Sequence, residues 1–188
     1  RVREGKAPKS RGGRSWWSIA AEAWGTDVLR ERSFLFLVGS RLAVLMAGGV
    51  LTNLAIFYLA RSLGMSEQES GTSFTIMVGL VAAGTVVTVV PAARLSDRIG
   101  RKKVIYLSCA IGAVGISLVA LAPSFGMALL GAVTYGLSAG IFLAVDWALM
   151  TDIIPKASSG RYMGLSNVAT ASSGVLAIAI GGTLMDII

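Results

Sequence analysis

The 188-residue sequence has no histidine, one cysteine and four prolines, and only 14% of its residues are charged. Without histidine there is no imidazole to relay protons near neutral pH, and His/Cys metal sites are implausible. The lone Cys109 has no partner for an internal disulfide, and its apolar surroundings in the sequence mark it as a small packing residue. The shortage of charge is the largest departure. Soluble domains carry about 25% charged residues, and a water-soluble chain of this length needs polar side chains to cover its surface. No Walker A loop, dinucleotide fingerprint or N-glycosylation sequon occurs. No cofactor and no metal is expected.

What is present is apolar and comes in blocks. Hydrophobic residues make up 54% of the chain and glycine contributes 23 residues, a composition suited to helices that pack closely in lipid. A helix needs about 20 apolar residues to cross the hydrocarbon core. Five stretches qualify, at about 34–60, 73–93, 104–122, 126–151 and 160–186, each bounded by charge, proline or glycine. Lipid leaves no partner for the backbone of an open strand edge, so all five must be helical. The fold class is an all-α membrane protein with about five transmembrane helices.

The net charge of +7 invites a nucleic-acid reading, but the positions argue against it. Residues 1–33 hold eight Lys/Arg, 94–103 hold five and 152–161 hold two, while the alternate loops hold only Arg61. By the positive-inside rule the basic side is cytoplasmic, and the alternation agrees with five spans. Within residues 1–33 the first fourteen are basic and polar. Trp16, Ala20, Trp24 and Val28 then recur every four residues, the pattern of a short amphipathic helix lying in the interface. A basic start at Arg1 is neither a signal peptide nor a plausible native beginning, so the chain reads as an internal piece of a longer one.

The loop between the second and third spans carries the most specific motif. It runs Ala93-Arg94-Leu95-Ser96-Asp97-Arg98-Ile99-Gly100-Arg101-Lys102-Lys103. Asp97 at a helix end suits a neighbouring helix N-terminus, Gly100 permits a turn with positive φ, and Arg98, Arg101, Lys102 and Lys103 suit anionic headgroups. This loop resembles motif A of the major facilitator superfamily at every position but the first, where Ala93 replaces glycine. The stretch from Asp146 to Pro155 is similar to the end of the tenth helix in some members, including sugar-transporter-like ones. Ser159 to Gly164 is similar to the start of the eleventh. The resemblance implies that residues 34–188 correspond to helices seven to eleven of a twelve-helix bundle. Residues 1–33 would be part of its cytoplasmic central loop, and the N-terminal six-helix half of the same protein would be missing. It also implies secondary transport of a small solute by alternating access, driven by a proton or cation gradient or by the solute's own.

Ionisable groups deep in a span mark function by default, because they are costly there. Arg41 lies roughly 10 Å along the helix axis from Phe34, and Asp146 lies a similar distance from the basic end of the fourth span. If helices seven and ten both line the cavity, the two charges can approach one another. Asn53, Tyr135 and Asn167 complete the candidate substrate or coupling set, and Gly136-x-x-x-Gly140 suits close helix approach. A membrane-embedded enzyme would need a nucleophile–base set or paired acids, which the sequence does not show, so the chain is read as not an enzyme. The alternatives are a receptor or sensor, or a structural membrane domain. The expected partners are a small solute, sugar-like or drug-like, and a bilayer with anionic headgroups. The expected location is a bacterial plasma membrane. The topology has a direct check: with Cys109 removed, cysteines introduced at Ser66 and Ser158 should label from outside and inside respectively. External labelling at position 158 would overturn the arrangement.

Overall fold

The computed structural model describes residues 31–154 and 159–187, so the interfacial helix expected at residues 15–30 lies outside the described residues. Five helices follow one another: α1 (Arg32–Arg61), α2 (Glu67–Ile99), α3 (Arg101–Ala120), α4 (Phe125–Ile153) and α5 (Ser159–Ile187). All five contain a stretch long and apolar enough to cross a membrane. Five helices are therefore observed where five spans were expected; four enclose the expected span, while the third, expected to run to residue 122, ends at Ala120.

The extension is largest in α2, whose 33 residues make a rod of about 50 Å against a hydrocarbon core of about 30 Å. Its start is fixed by a capping box. Ser66 Oγ accepts from the Glu69 amide at 3.3 Å, and Glu69 Oε2 accepts from the Ser66 amide at 3.0 Å. Pro91 lies inside the helix without ending it. The end is Gly100, with φ 94°, the positive value expected of the motif's glycine. That turn lets α3 begin one residue later.

Helix α4 is the centre of the bundle and packs most extensively on α3 and α2, while α5 packs chiefly on α1. Lipid supplies no hydrophobic force between helices, so small residues and interhelical hydrogen bonds must hold them. A Cβ on Gly136 would sit 2.6 Å from the Val81 carbonyl oxygen, and one on Gly140 would collide with Thr85 and Thr88. The threonines use that proximity. Thr85 Oγ1 donates to Gly136 O at 3.1 Å, and Thr88 Oγ1 donates to Leu137 O at 3.0 Å. On the other face of α4, Gly115 of α3 lies against the Tyr135 backbone and Gly131 against the backbones of Gly115 and Val119.

Helix α1 meets this block differently, through side chains at three depths. Tyr58 Oη donates to Ala122 O at 3.0 Å near one end, Tyr135 Oη donates to Val44 O at 2.9 Å in the middle, and Arg41 meets Asp146 towards the basic end. The packing yields a sharp contrast between glycines. Gly136→Ala should cost about 1–3 kcal/mol, the usual range for overpacking, whereas Gly79→Ala has open space around it and should be neutral or slightly stabilising. Thermal melts of the detergent-solubilised full-length protein decide this, and equal behaviour of the two variants would refute the close α2–α4 contact.

Candidate functional site

The site forms around Arg41 of α1, which reaches Asp146 of α4 on one side and Thr170 of α5 on the other. Arg41 and Asp146 are 5% and 1% exposed, and Arg41 Nη1 lies 2.8 Å from Asp146 Oδ2. The approach anticipated from sequence is therefore real, and neither side chain reaches out to the interface. Arg41 Nε donates to Thr170 Oγ1 on α5 at 3.1 Å, which fixes the guanidinium from a second side. Thr170 Oγ1 in turn donates to the Ser166 carbonyl one turn back. The indole of Trp147 completes the arrangement, with the Arg41 guanidinium carbon 4.4 Å from the ring centroid, within the range of a cation–π contact. Trp147 itself is 45% exposed.

A buried pair of this kind costs several kcal/mol per ion to desolvate and regains most of it by mutual attraction. Its net contribution is small, but losing one partner strands a charge. Hydrogen bonding is incomplete as well. Arg41 Nη1 has no N–H aligned on an acceptor despite its closeness to Oδ2, and Asp146 Oδ1 and Ser166 Oγ lack partners among the described residues.

The other expected residues are placed elsewhere. Tyr135 is buried and spends its hydroxyl on the Val44 carbonyl, facing Gly48, where a Cβ would lie 2.6 Å from the Tyr135 hydroxyl oxygen. Asn53 is exposed and its Nδ2 donates to Gly49 O within its own helix at 2.7 Å. Asn167 is exposed on α5 beside the buried Ser166. Neither asparagine joins the Arg41 cluster.

The motif loop forms a second, shallower polar contact. Arg101 Nη1 donates to Asp152 Oδ2 at 2.6 Å and also to the Ala148 carbonyl, clasping the start of α3 to the end of α4. Asp97, expected at a helix N-terminus, is exposed and makes no hydrogen bond among the described residues. Arg98, Lys102 and Lys103 are exposed near Gly100.

Sequence reasoning missed Thr170, Ser166 and Trp147, and missed the pairing of Arg101 with Asp152. The last had a signal: Asp152 and the 94–103 loop lie on the same side by charge alternation. The threonine and serine had none, since hydroxyls in a span read equally well as packing residues.

Five membrane-spanning helices around a buried ion pair define a multi-pass helical membrane protein. The sequence matches the family described as Major Facilitator Superfamily over residues 36–188, and the chain belongs to that family. It is 29% identical over 137 residues to the minor myo-inositol transporter IolF of Bacillus subtilis, covering 71% of this chain and 29% of that protein. It is 29% identical over 127 residues to the multidrug resistance protein MdtL of Klebsiella pneumoniae, covering 68% and 31%. The tetracycline resistance protein, class H, of Pasteurella multocida is 28% identical over 123 residues, covering 65% and 30%. The chain thus spans less than a third of the length of these relatives, all of which are bacterial.

The coupling within the pair is measurable as stability. Arg41→Gln should lose about 3–5 kcal/mol by leaving the carboxylate alone in the interior, and the double variant Arg41→Gln, Asp146→Asn should recover much of that loss. Strictly additive losses in melts of the full-length protein would show that the residues act independently.

Proposed function

We propose that residues 34–188 form most of the C-terminal half of a secondary transporter, equivalent to helices seven to eleven, and that residues 1–33 belong to the cytoplasmic loop joining it to an N-terminal six-helix half. Transport proceeds by alternating access, with the two halves rocking about a midplane site. The protein is a carrier and not an enzyme. The observation that carries this reading is the buried Arg41–Asp146 pair at 2.8 Å. It brings together the only two formal charges lying seven or more residues from a helix end among the described residues. A bilayer protein maintains such a pair at a cost, and the expense is explained if the pair is opened during the cycle.

Asp146 is the coupling or substrate-binding carboxylate, and Arg41 is its internal counter-ion. When substrate or a change of conformation draws Arg41 away, the carboxylate loses its counter-ion and a cation can take that place. Closing the pair releases that cation again, which is the exchange that gradient coupling requires. The 94–103 loop acts on conformation and does not touch substrate. Support for that role is the clasp of Arg101 on Asp152 and Ala148, which ties the loop to the same helix that carries Asp146. Arg98, Lys102 and Lys103 lie where anionic headgroups would meet them. The names of the relatives point both ways, one to myo-inositol and others to drugs, so a sugar-like or drug-like solute suits the family.

Reconstitution of the protein with both halves tests the reading. Asp146→Asn should abolish gradient-driven accumulation while leaving passive exchange of the same solute intact. Normal accumulation by this variant across pH would remove Asp146 from the coupling mechanism.

A further inference from the structure

On the basic side of the bundle, apart from the buried ion pair, a cleft opens between α1, α3 and α4. Its volume is about 320 Å³, within the range of about 300–1,000 Å³ usual for ligand pockets. Helices α1 and α3 both begin on this side, so residue order gives depth. Ser33 and Lys102 stand in the first turns, whereas Ser40 and Cys109 lie seven residues on, about 10 Å deeper. The wall between these levels is apolar and includes the buried Leu37, Ile105 and Leu149. Phe36 and Tyr106 also line the cleft and are 79% and 72% exposed, so they form its rims. The cleft is therefore polar towards the headgroups and apolar towards the hydrocarbon.

Charge at the mouth selects the occupant. Neither α1 nor α3 has an acidic residue in its first turn, and Glu31, just before α1, is offset by Arg32 beside it. Asp152, next to the cleft-lining Ile153, is already paired with Arg101. Lys102 makes no ion pair among the described residues. An inorganic anion would satisfy the lysine and leave the apolar wall uncovered. An apolar helix would cover the wall and strand the lysine. A zwitterionic headgroup would carry its own cation into a basic loop. A phospholipid of net negative charge meets both demands, because its phosphate pairs with the ammonium and its chain covers the wall.

We propose that this cleft seats one anionic phospholipid of the cytoplasmic leaflet, its phosphate at Lys102 and Ser33 and an acyl chain between Phe36 and Tyr106. Such a seat is discrete and saturable, unlike the general attraction of a basic loop for a charged membrane. It rests on the arrangement of the spans and not on transport, so failure of the carrier reading leaves it standing.

Cys109, half-buried on the cleft wall, reports occupancy. Purified full-length protein in which it is the sole cysteine is alkylated with N-ethylmaleimide in mixed micelles. Three additions are compared: phosphatidylglycerol, phosphatidylcholine of the same chain length, and inorganic phosphate. Phosphatidylglycerol should slow alkylation saturably, phosphatidylcholine should need a higher mole fraction, and phosphate alone should have no effect. Lys102→Gln should weaken protection by phosphatidylglycerol about fivefold, the loss expected for one lysine at an anionic surface. Lys103→Gln removes the same charge one residue away, outside the cleft lining, and should leave protection unchanged. Ser40→Phe, which fills the deep end, should weaken protection by both lipids alike. Thermal melts check that each variant is folded. Equal losses in Lys102→Gln and Lys103→Gln would reduce the seat to diffuse attraction and overturn it. Equal protection by the two lipids, or protection by phosphate alone, would overturn it as well. A Cys109 thiol that stays unreactive without added lipid would show that another part of the protein fills the cleft, which also overturns the proposal.

Discussion

A helix dissolved in lipid gains nothing by trading hydrocarbon for the apolar side chains of a neighbour, and the rest of this bundle depends on how that constraint is met. The answer is backbone proximity along α4. Gly131, Gly136 and Gly140 remove the side chains that would hold α3 and α2 at arm's length, and dispersion then acts over surfaces in direct contact. The same proximity brings the carbonyls of Gly136 and Leu137 within reach of Thr85 and Thr88. Each hydroxyl has a single proton, and a carbonyl of its own helix lies within reach as well, so the interhelical carbonyl shares a donor that the threonine could otherwise satisfy locally. Helices α2, α3 and α4 thereby form one block.

Helix α1 joins that block on different terms. Between Gly48 and α4 the nearest atom is a side-chain hydroxyl, that of Tyr135, and the ties at Tyr58, Tyr135 and Arg41 are all made through side-chain tips. Helix α5 accompanies α1, sharing the Phe34–Tyr162 ring contact and a close approach of Gly49 to Ala177. The Arg41–Asp146 pair therefore crosses the seam between a block closed by backbone contact and a helix pair attached by longer side chains. Ion pairs and tyrosine hydroxyls can exchange partners without any helix losing its own hydrogen bonds. Backbone-to-backbone contacts cannot separate so cheaply, because they have no flexible atoms to take up the movement.

The five helices were legible because charge is nearly absent from the spans and concentrated between them, so hydropathy and Lys/Arg position agree. The turn at Gly100 was legible because glycine before a basic helix start has few other uses. The reach of α2 to Glu67 and Ile99 was not, since its outer turns are polar and its start is set by a local hydrogen-bond exchange between Ser66 and Glu69. Arg41 and Asp146 were recognisable singly as costly, but their meeting depended on matching helices to a known bundle. Thr170 and Ser166 were invisible for a further reason. Their position relative to Arg41 is set by the rotation of α5 about its own axis, and that rotation follows from packing against α1. Asn53 shows a further limit of reading polarity alone. An amide in a span suggests a ligand, yet it bonds to the carbonyl of Gly49, one turn back in the same helix.

The two ion pairs differ in what it costs to separate them. Arg101 and Asp152 have side chains 31% and 56% exposed. Water competes for both groups, so their attraction is worth about 0–1 kcal/mol, and separating them exposes ions already half solvated. Such a contact opens and closes at little cost and is suited to following a conformational change. Arg41 and Asp146 are shielded, and separating them without a replacement partner would leave two bare charges in a poor solvent. That pair can open only when something arrives to take its place or when water is admitted. In the proposed transport cycle the shallow contact would follow the state of the bundle, whereas the deep one would make a change of state conditional on an incoming partner. Such conditional opening would set the proposed carrier apart from a pore, because a pore needs no such exchange to conduct.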